Sequence, residues 1–407
     1  MKLTEALDFV GLTRGRPAGR FAHLHTVADV HRAARRALPH GISDYVDGGA
    51  DGEVSVSANA AGFDEFRWHP DALIPADAVD TSTTIAGERW AMPVGLAPTG
   101  YTRMIHPAGE IAVAEAAASA AAPYVLSTVA TTTIEDVAAA TRAPWSQLYA
   151  MRDRAVTDDL VRRAEEAGSP VLEIAVDTAV AGNRVRDRRN GLVIPPRMTP
   201  STVFGIAIKP RYWVGMLTND SIDFAQVKAS DRDGRLPGGS IADITAAFDG
   251  ALDWDEIARI RSIWPRTLVL KGPIGPRDAE RARDLGVDGI HLSNHGGRQL
   301  DRAVAPIDLV APVRAAVGPH ALVVVDSGVR SGGDVAIAIA LGADAAFLGR
   351  PYLWGLAAGG REGVERVLEI VRAELARTMA LVGTPSIEAL RARGPHVLAA
   401  RRTLGGV

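Results

Sequence analysis

The chain contains no cysteine among its 407 residues. Disulfides, thiolate-bound metals and cysteine nucleophiles are thereby excluded, and any redox chemistry must be carried by a bound cofactor. Long apolar runs are missing too. No stretch of about 18 uninterrupted apolar residues occurs, which argues against a spanning helix. The opening MKLTEALDFVGLTRGRPAGRF lacks the apolar core of a secretory signal, so the cytoplasm is the expected location. There is no excess of positive charge. Lys and Arg number 45 against 48 Asp and Glu, for a formal charge of -3, and such a balance gives no support to nucleic-acid binding. No metal site is expected.

What is present is an alternation. Short β-like runs start at Pro93 (PVGLAPTG), Tyr124 (YVLST), Ser146 (SQLY) and Val171 (VLEIAVD). Four more start at Thr267 (TLVLKG), Gly289 (GIHLSN), Ala321 (ALVVVDSG) and Ala345 (AAFLGR). They read as apolar on both faces and rich in Val, Ile and Leu, as buried parallel strands are. Ala-, Glu- and Arg-rich stretches between them, such as DDLVRRAEEAG and PRDAERARDLG, end at glycine as helices do. Most repeats run roughly 22–33 residues, near the ~30 of one βα unit in an eight-fold barrel. The expected fold is therefore an α/β (β/α)8 TIM barrel over about residues 91–380, forming one domain with the rest of 1–407. Residues 1–90 read as an N-terminal helical covering segment, with a helix in LHTVADVHRAARRAL. One long gap follows the fourth strand. It contains a Pro- and Gly-rich stretch at about 190–250, which reads as a lid insertion. Its VFGIAIKPRYWVGML fits either packing on the barrel rim or a peripheral membrane or partner patch.

In a parallel barrel the C-terminal strand ends share one face, and active sites sit there. Those ends carry Pro98-Thr99-Gly100, Ser127, Gln147 with Tyr149, Asp177, Lys271, Ser293-Asn294-His295, Asp326-Ser327-Gly328 and Gly349-Arg350. The last two strands each place glycine near arginine, in DSGVRSGGD and LGRP. Backbone N–H groups at glycine and an arginine fork suit phosphate, and loops 7 and 8 are the usual phosphate site of this fold. Lys271 closes an apolar strand and would be a fixed cation facing negative charge on a reduced ring. In HLSNHGGRQLD, His295 is a base whose ordinary pKa lies near working pH. Arg298 can fork onto a carboxylate, and Arg184 offers a second cation. Asp177 can orient the imidazole, and Tyr149 adds a hydroxyl. Together they point to a small anionic substrate that must lose a proton.

SNHGGRQLD resembles the active-site signature of the FMN-dependent L-2-hydroxy-acid oxidising enzymes. The similarity runs from about LPHGISDYVDGGADGE to TMALVGTPSIEAL. APTGYTRMIHPAGE, VAGNRVRDRRNG and KPRYW look most like the bacterial L-lactate dehydrogenase branch. The resemblance implies FMN as cofactor, a 2-hydroxy acid as substrate, quinone or another electron acceptor, and a homo-oligomer, a tetramer in the family. It implies His295 as proton acceptor with Asp177 as its partner, and Tyr149 on the substrate hydroxyl. Arg184, Arg298 and Tyr45 would hold the carboxylate. Pro98, Thr99 and Gly100 would lie against the flavin, with Ser127, Gln147 and Lys271 at its edge and Ser293 beside them. Asp326 would bind the ribityl chain, and Gly328, Arg330, Gly349 and Arg350 the phosphate.

Three positions modify the expectation. Ala175 stands where many relatives have threonine, so one flavin hydrogen bond is in doubt. Val129 stands where some oxidases have a bulky aromatic, which admits a larger side chain. Gly100 stands where oxidases often have alanine. The leading expectation is oxidation of L-lactate to pyruvate with electrons passing through FMN to quinone or another acceptor. The alternatives are a larger acid such as mandelate, or oxygen as acceptor. A catalytically silent flavin protein is the rival of another class, and the full set of His295, Arg298, Asp177, Arg184 and Tyr149 argues against it.

Overall fold

The computed structural model describes residues 20–75, 78–191, 209, 212–214, 222–231, 234 and 241–400. Eight strands form its main sheet: β1 Val94–Leu96, β2 Val125–Leu126, β3 Trp145–Leu148, β4 Val171–Ala175, β5 Thr267–Gly272, β6 Gly289–Leu292, β7 Leu322–Val325 and β8 Ala345–Leu348. Each pairs in parallel with its sequence neighbour, and β8 pairs with β1. A single parallel bridge from Leu96 to Tyr124 brings β1 to β2 and completes the ring. This is the (β/α)8 barrel that the alternation predicted.

Two apolar cores result, one on each side of the strands. The outer core lies between strands and helices and includes Leu96, Leu126, Leu148, Leu172, Ile174, Leu268, Leu270, Ile290, Leu292, Val323 and Val325. The inner core fills the lower barrel with Val125, Trp145, Val171, Val269, Val324, Ala345 and Phe347. Ile85 and Trp90, from a hairpin of Thr83–Ile85 and Glu88–Trp90, join it. Burying each such side chain contributes roughly 1.5–3 kcal/mol. The period of two along each strand sends alternate residues to the two cores. The upper interior departs from the apolar expectation. Gln147, Glu173, Lys271, His291, Ser293 and Asp326 are all buried there.

The cover begins with α1 (Val27–Ala37), α2 (His40–Asp47) and α3 (Val54–Ala61). Thr26 and Asp29 form a reciprocal cap at the start of α1, and Arg35 and Arg36 sit in its last turn, as the helix dipole favours. Val27, Val30 and Ala34 are its buried stripe, packed on the long helical segment Arg350–Val382. α2 and α3 lead the backbone from Tyr45 to Ser55 across the barrel mouth. The insertion follows β4. Most of 190–250 lies outside the described residues, as does most of VFGIAIKPRYWVGML. Tyr212 is described, and its hydroxyl donates to the Met104 carbonyl at 2.8 Å, so here the insertion packs on the loop after β1. Among the described residues, no helix is long and apolar enough to cross a membrane.

Candidate active site

The mouth of the barrel is a cleft lined by Pro98, Thr99, Gly100, Tyr149, Arg184, Lys271, His295, Arg298, Asp326, Gly328, Arg330, Gly349 and Arg350, with Tyr45 from the cover. Residues scattered over more than 300 positions are thus brought to one opening. Ser127, Gln147, Asp177 and Ser293 stand immediately around it, bonded to one another or to residues in this lining.

His295 is held by its neighbours in an uncommon backbone conformation. Its φ is 57°, and Gly296 and Gly297 follow at 64° and 75°. A non-glycine residue in this left-handed region costs energy that surrounding contacts must offset. Ser293 Oγ accepts from His295 N at 3.1 Å, Ser327 Oγ from Gly296 N at 2.9 Å, and Asn294 Oδ1 from Gly297 N at 3.0 Å. A Cβ at Gly296 would also lie 2.5 Å from Arg350 Nη1, so this position needs both the conformation and the space.

The imidazole is bonded on both sides. Nδ1 lies 3.0 and 2.9 Å from the two carboxylate oxygens of Asp177, and Nε2 lies 2.9 Å from Tyr149 Oη. An ionised carboxylate only accepts, so Nδ1 carries the proton and Nε2 is the acceptor that Tyr149 meets. Burial raises the Asp177 carboxyl, but His295 and Lys271 outweigh it and hold Asp177 below the usual carboxylate range. Burial beside Asp177 pushes the Tyr149 phenol up, so it stays a neutral donor. Tyr149, expected on the substrate hydroxyl, is therefore bonded to the base itself.

Arg298 lies against Tyr45, its guanidinium carbon 4.8 Å from the ring centre, and donates to Tyr45 O at 2.6 Å and Gly48 O at 3.0 Å. Burial and the nearby Arg184 push its guanidinium down from its ordinary value. Among the described residues Arg184 has no ion-pair partner. Both guanidiniums feel the charge of the nearby Asp187, yet among the described residues neither makes an ion-pair contact, and two such cations sharing a cleft can receive an anion. The same pattern recurs at the other end. Arg350 donates to Val46 O (3.0 Å), Gly296 O (2.8 Å) and Gly48 O (2.7 Å), and Arg330 lies over Trp354 at 5.2 Å. Burial pushes Arg330 down to about 10, and burial together with Arg330 and Arg298 pushes Arg350 down to about 9. Guanidinium keeps its proton at neutral pH. Both are buried cations, and an incoming negative charge would offset the cost of burying them.

The residues present fit FMN. At the end of β3, Gln147 Oε1 accepts from Ser127 Oγ at 3.1 Å and Thr128 N at 3.3 Å, while its Nε2 is buried without a partner among the described residues. An orphan buried donor is uncommon, and a ring carbonyl would satisfy it. Gly349, just before the N-terminus of Arg350–Val382, and the Arg330–Arg350 pair suit the phosphate. Among the described residues no cluster of His, Asp or Glu could hold a metal.

Residues 34–397 match the family model for FMN-dependent dehydrogenase. The chain belongs to that family. FMN is its cofactor, and its reaction is the oxidation of a 2-hydroxy acid. A Mycobacterium tuberculosis protein provisionally named an L-lactate dehydrogenase is 44% identical over 379 residues, spanning 93% of this chain and 90% of the relative. The 4-hydroxymandelate oxidase of Amycolatopsis orientalis is 40% identical over 367 residues, spanning 90% and 96%. The crystal structure of the monotopic membrane protein (S)-mandelate dehydrogenase has a TM-score of 0.86 at 33% identity, spanning 93% of this chain and 99% of that one.

Sequence reasoning missed the supports. Asn294 and Asn59 exchange amide hydrogen bonds at 2.7 and 2.6 Å, tying the end of β6 to α3. Gln299 Nε2 donates to Asp177 O at 3.0 Å, and Asp301 accepts from Ser55 N at 2.9 Å. The remaining letters of SNHGGRQLD thus fasten the base loop to its surroundings. The two buried residues Glu173 and His291 were also missed. Their signal was present, since a charge inside VLEIAVD and a histidine inside GIHLSN both break an apolar pattern.

Proposed function

We propose that this enzyme oxidises an L-2-hydroxy acid with an apolar side chain larger than methyl, with mandelate as the representative. The observation that carries this reading is the cleft wall. Beyond Tyr149 it is built from Gly100, Tyr101, Val129, Phe224, Ile244 and Phe248. Phe248 stacks on Tyr149 with ring centres 4.4 Å apart, and Phe224 lies 4.7 Å from Tyr101. A lactate methyl would use little of that surface. The mandelate-acting relatives support the same choice, whereas L-lactate was the leading expectation from the sequence.

In the proposed reaction Arg184, Arg298 and Tyr45 bind the carboxylate. His295 Nε2 takes a proton from the substrate, with Tyr149 turning from the base to the substrate hydroxyl. Asp177 holds Nδ1–H and stabilises the imidazolium that results. FMN, when bound, supplies the two-electron acceptor. Pro98 and Thr99 would pack against it, Ser127, Gln147, Lys271 and Ser293 would hold its ring, Asp326 its ribityl chain, and Gly328, Arg330, Gly349 and Arg350 its phosphate. Ala175 offers no hydroxyl to it.

The acceptor in this reading is a quinone or another carrier rather than oxygen. Gly100 supports it: a Cβ there would lie 2.3 Å from Val129 Cγ2 and 2.8 Å from Val129 O, so the alanine common in oxidases has no room. Peripheral membrane contact through the insertion and assembly into a tetramer belong to the same reading. The monotopic description of the mandelate dehydrogenase supports the first, and the family resemblance suggests the second. Liposome flotation and light scattering test them. Anaerobic bleaching of the flavin by L-mandelate, L-lactate and longer acids tests the substrate. An apolar pocket separates neighbouring side chains about tenfold or more per methylene. Equal or better reduction by lactate overturns the reading, and re-oxidation faster by air than by quinone overturns the acceptor.

A further inference from the structure

Glu173 on β4 and His291 on β6 both point into the barrel and both have 0% exposure. Glu173 Oε1 lies 2.9 Å from His291 Nδ1. On the other side of the ring, Nε2 lies 3.2 Å from Asp326 Oδ2, an ion-pair contact off the line of a good hydrogen bond. The Phe347 ring meets the imidazole edge-on, with centres 5.1 Å apart. A neutral imidazole has one N–H and one lone pair, so flanked by two carboxylates it would aim a lone pair at a negative charge. Only the imidazolium suits both neighbours.

The same Asp326 oxygen is shared. Lys271 Nζ lies 3.3 Å from Oδ2 and donates to Ser293 Oγ at 2.8 Å. Four side chains from four consecutive strands thus alternate in charge: Glu173, His291, Asp326, Lys271. Only the last two line the cleft. Among the described residues Glu173 Oε2 has no hydrogen-bond partner, so the buried carboxylate is incompletely satisfied. A buried ion pair is poor evidence for stability, because well-packed apolar residues often do as well. Its consequence is to be sought at the end that reaches the cleft.

We propose that Glu173 and His291 are positioning residues that set the positive field of Lys271 at the flavin. Glu173 keeps His291 cationic, and His291 takes part of the attraction of Asp326. Asp326 then neutralises Lys271 less completely, and more of the ammonium charge acts on the ring. Without the pair, Asp326 draws on Lys271 alone and reduction of the flavin becomes harder. The inference rests on FMN lying over this mouth and is independent of which acid is oxidised.

The test is the two-electron midpoint potential of bound FMN, measured by dye equilibration in the wild-type holoenzyme and in Glu173→Leu/His291→Leu. The double variant removes both charges and leaves an apolar interior. The reduction equilibrium is expected to shift about tenfold against reduced flavin, about 30 mV more negative. The melting temperature of the apoprotein stays near wild type or rises. A folded double variant with an unchanged potential makes the pair merely structural and overturns the proposal. If the double variant does not fold, Glu173→Gln decides. His291 then faces only Asp326, Lys271 and the Phe347 ring, and its ionisation adds a break to the plot of potential against pH that the wild type lacks. An unchanged plot overturns the proposal. A wild-type apoprotein that binds no FMN would instead contradict the cofactor assignment, which separates the two failures.

Discussion

The two arginine pairs of the cleft are alike in burial and differ in how they are held. At the proposed phosphate end, Arg350 is fastened to three backbone carbonyls and Arg330 is stacked on Trp354, whose Nε1 donates to Asp47 Oδ1 at 2.9 Å. At the proposed substrate end, Arg298 is fastened to two carbonyls, while Arg184 has no ion-pair partner among the described residues. A resident cofactor needs a rigid anchor, and a substrate that comes and goes needs one arm able to follow it. The comparison teaches that a cation's supports reveal its task as well as its position does.

The largest expected effect breaks the two ends apart. His295→Gln should lower kcat by about 10²–10⁴, the usual cost of losing a catalytic base, with flavin content unchanged. Near wild-type flavin reduction in that variant would remove His295 from the chemistry. Next comes Arg350→Leu. Charged hydrogen bonds are each worth about 1.5–3 kcal/mol, so the FMN dissociation constant should rise about tenfold to a hundredfold. KM for the acid, measured at saturating FMN, should barely move. Fluorescence titration of apoprotein checks the first quantity. Arg298→Lys should raise KM about tenfold and lower kcat, since an ammonium cannot reproduce the fork or both carbonyl contacts. An unchanged KM would show that Arg184 alone holds the carboxylate.

The smallest effect is a pH dependence. Asp177 is held below its ordinary value, so its pairing stabilises the fold fully above the unfolded carboxylate pKa of about 3.9. That stability is lost as pH falls through the lowered native value. Melting temperatures of wild type and Asp177→Asn should therefore differ at neutral pH and converge below about pH 4. A constant difference would mean that the ionisation of Asp177 contributes nothing to it.

Much of this molecule was legible in its sequence because buried parallel strands are short, branched and regularly spaced. Seven of the eight runs contain a barrel strand, and the third, SQLY, overlaps one that begins a residue earlier at Trp145. SNHGGRQLD was legible because its chemistry is dense: a base, a cation and two glycines in one loop. The upper interior was less so. An apolar run with one charge, such as VLEIAVD, does not say whether Glu173 faces helices or the barrel axis until the register is known. Asn59 and Asp47 were silent for another reason. Asn59 meets Asn294, and Asp47 meets Trp354 as well as the local His31; the two distant partners lie more than two hundred residues away, and only closure of the ring brings the cover over the mouth.

That closure is uneven. Where β1 meets β2, one bridge stands in for a ladder, and β2 is two residues long. Pro98, Thr99 and Gly100 emerge just beyond one side of this seam and Ser127 beyond the other. A flavin seated against both sides, as proposed, would act as a rivet across this thin joint of the cylinder. Deuterium uptake in apoprotein should accordingly begin around Leu96 and Leu126, and adding FMN should slow it there first.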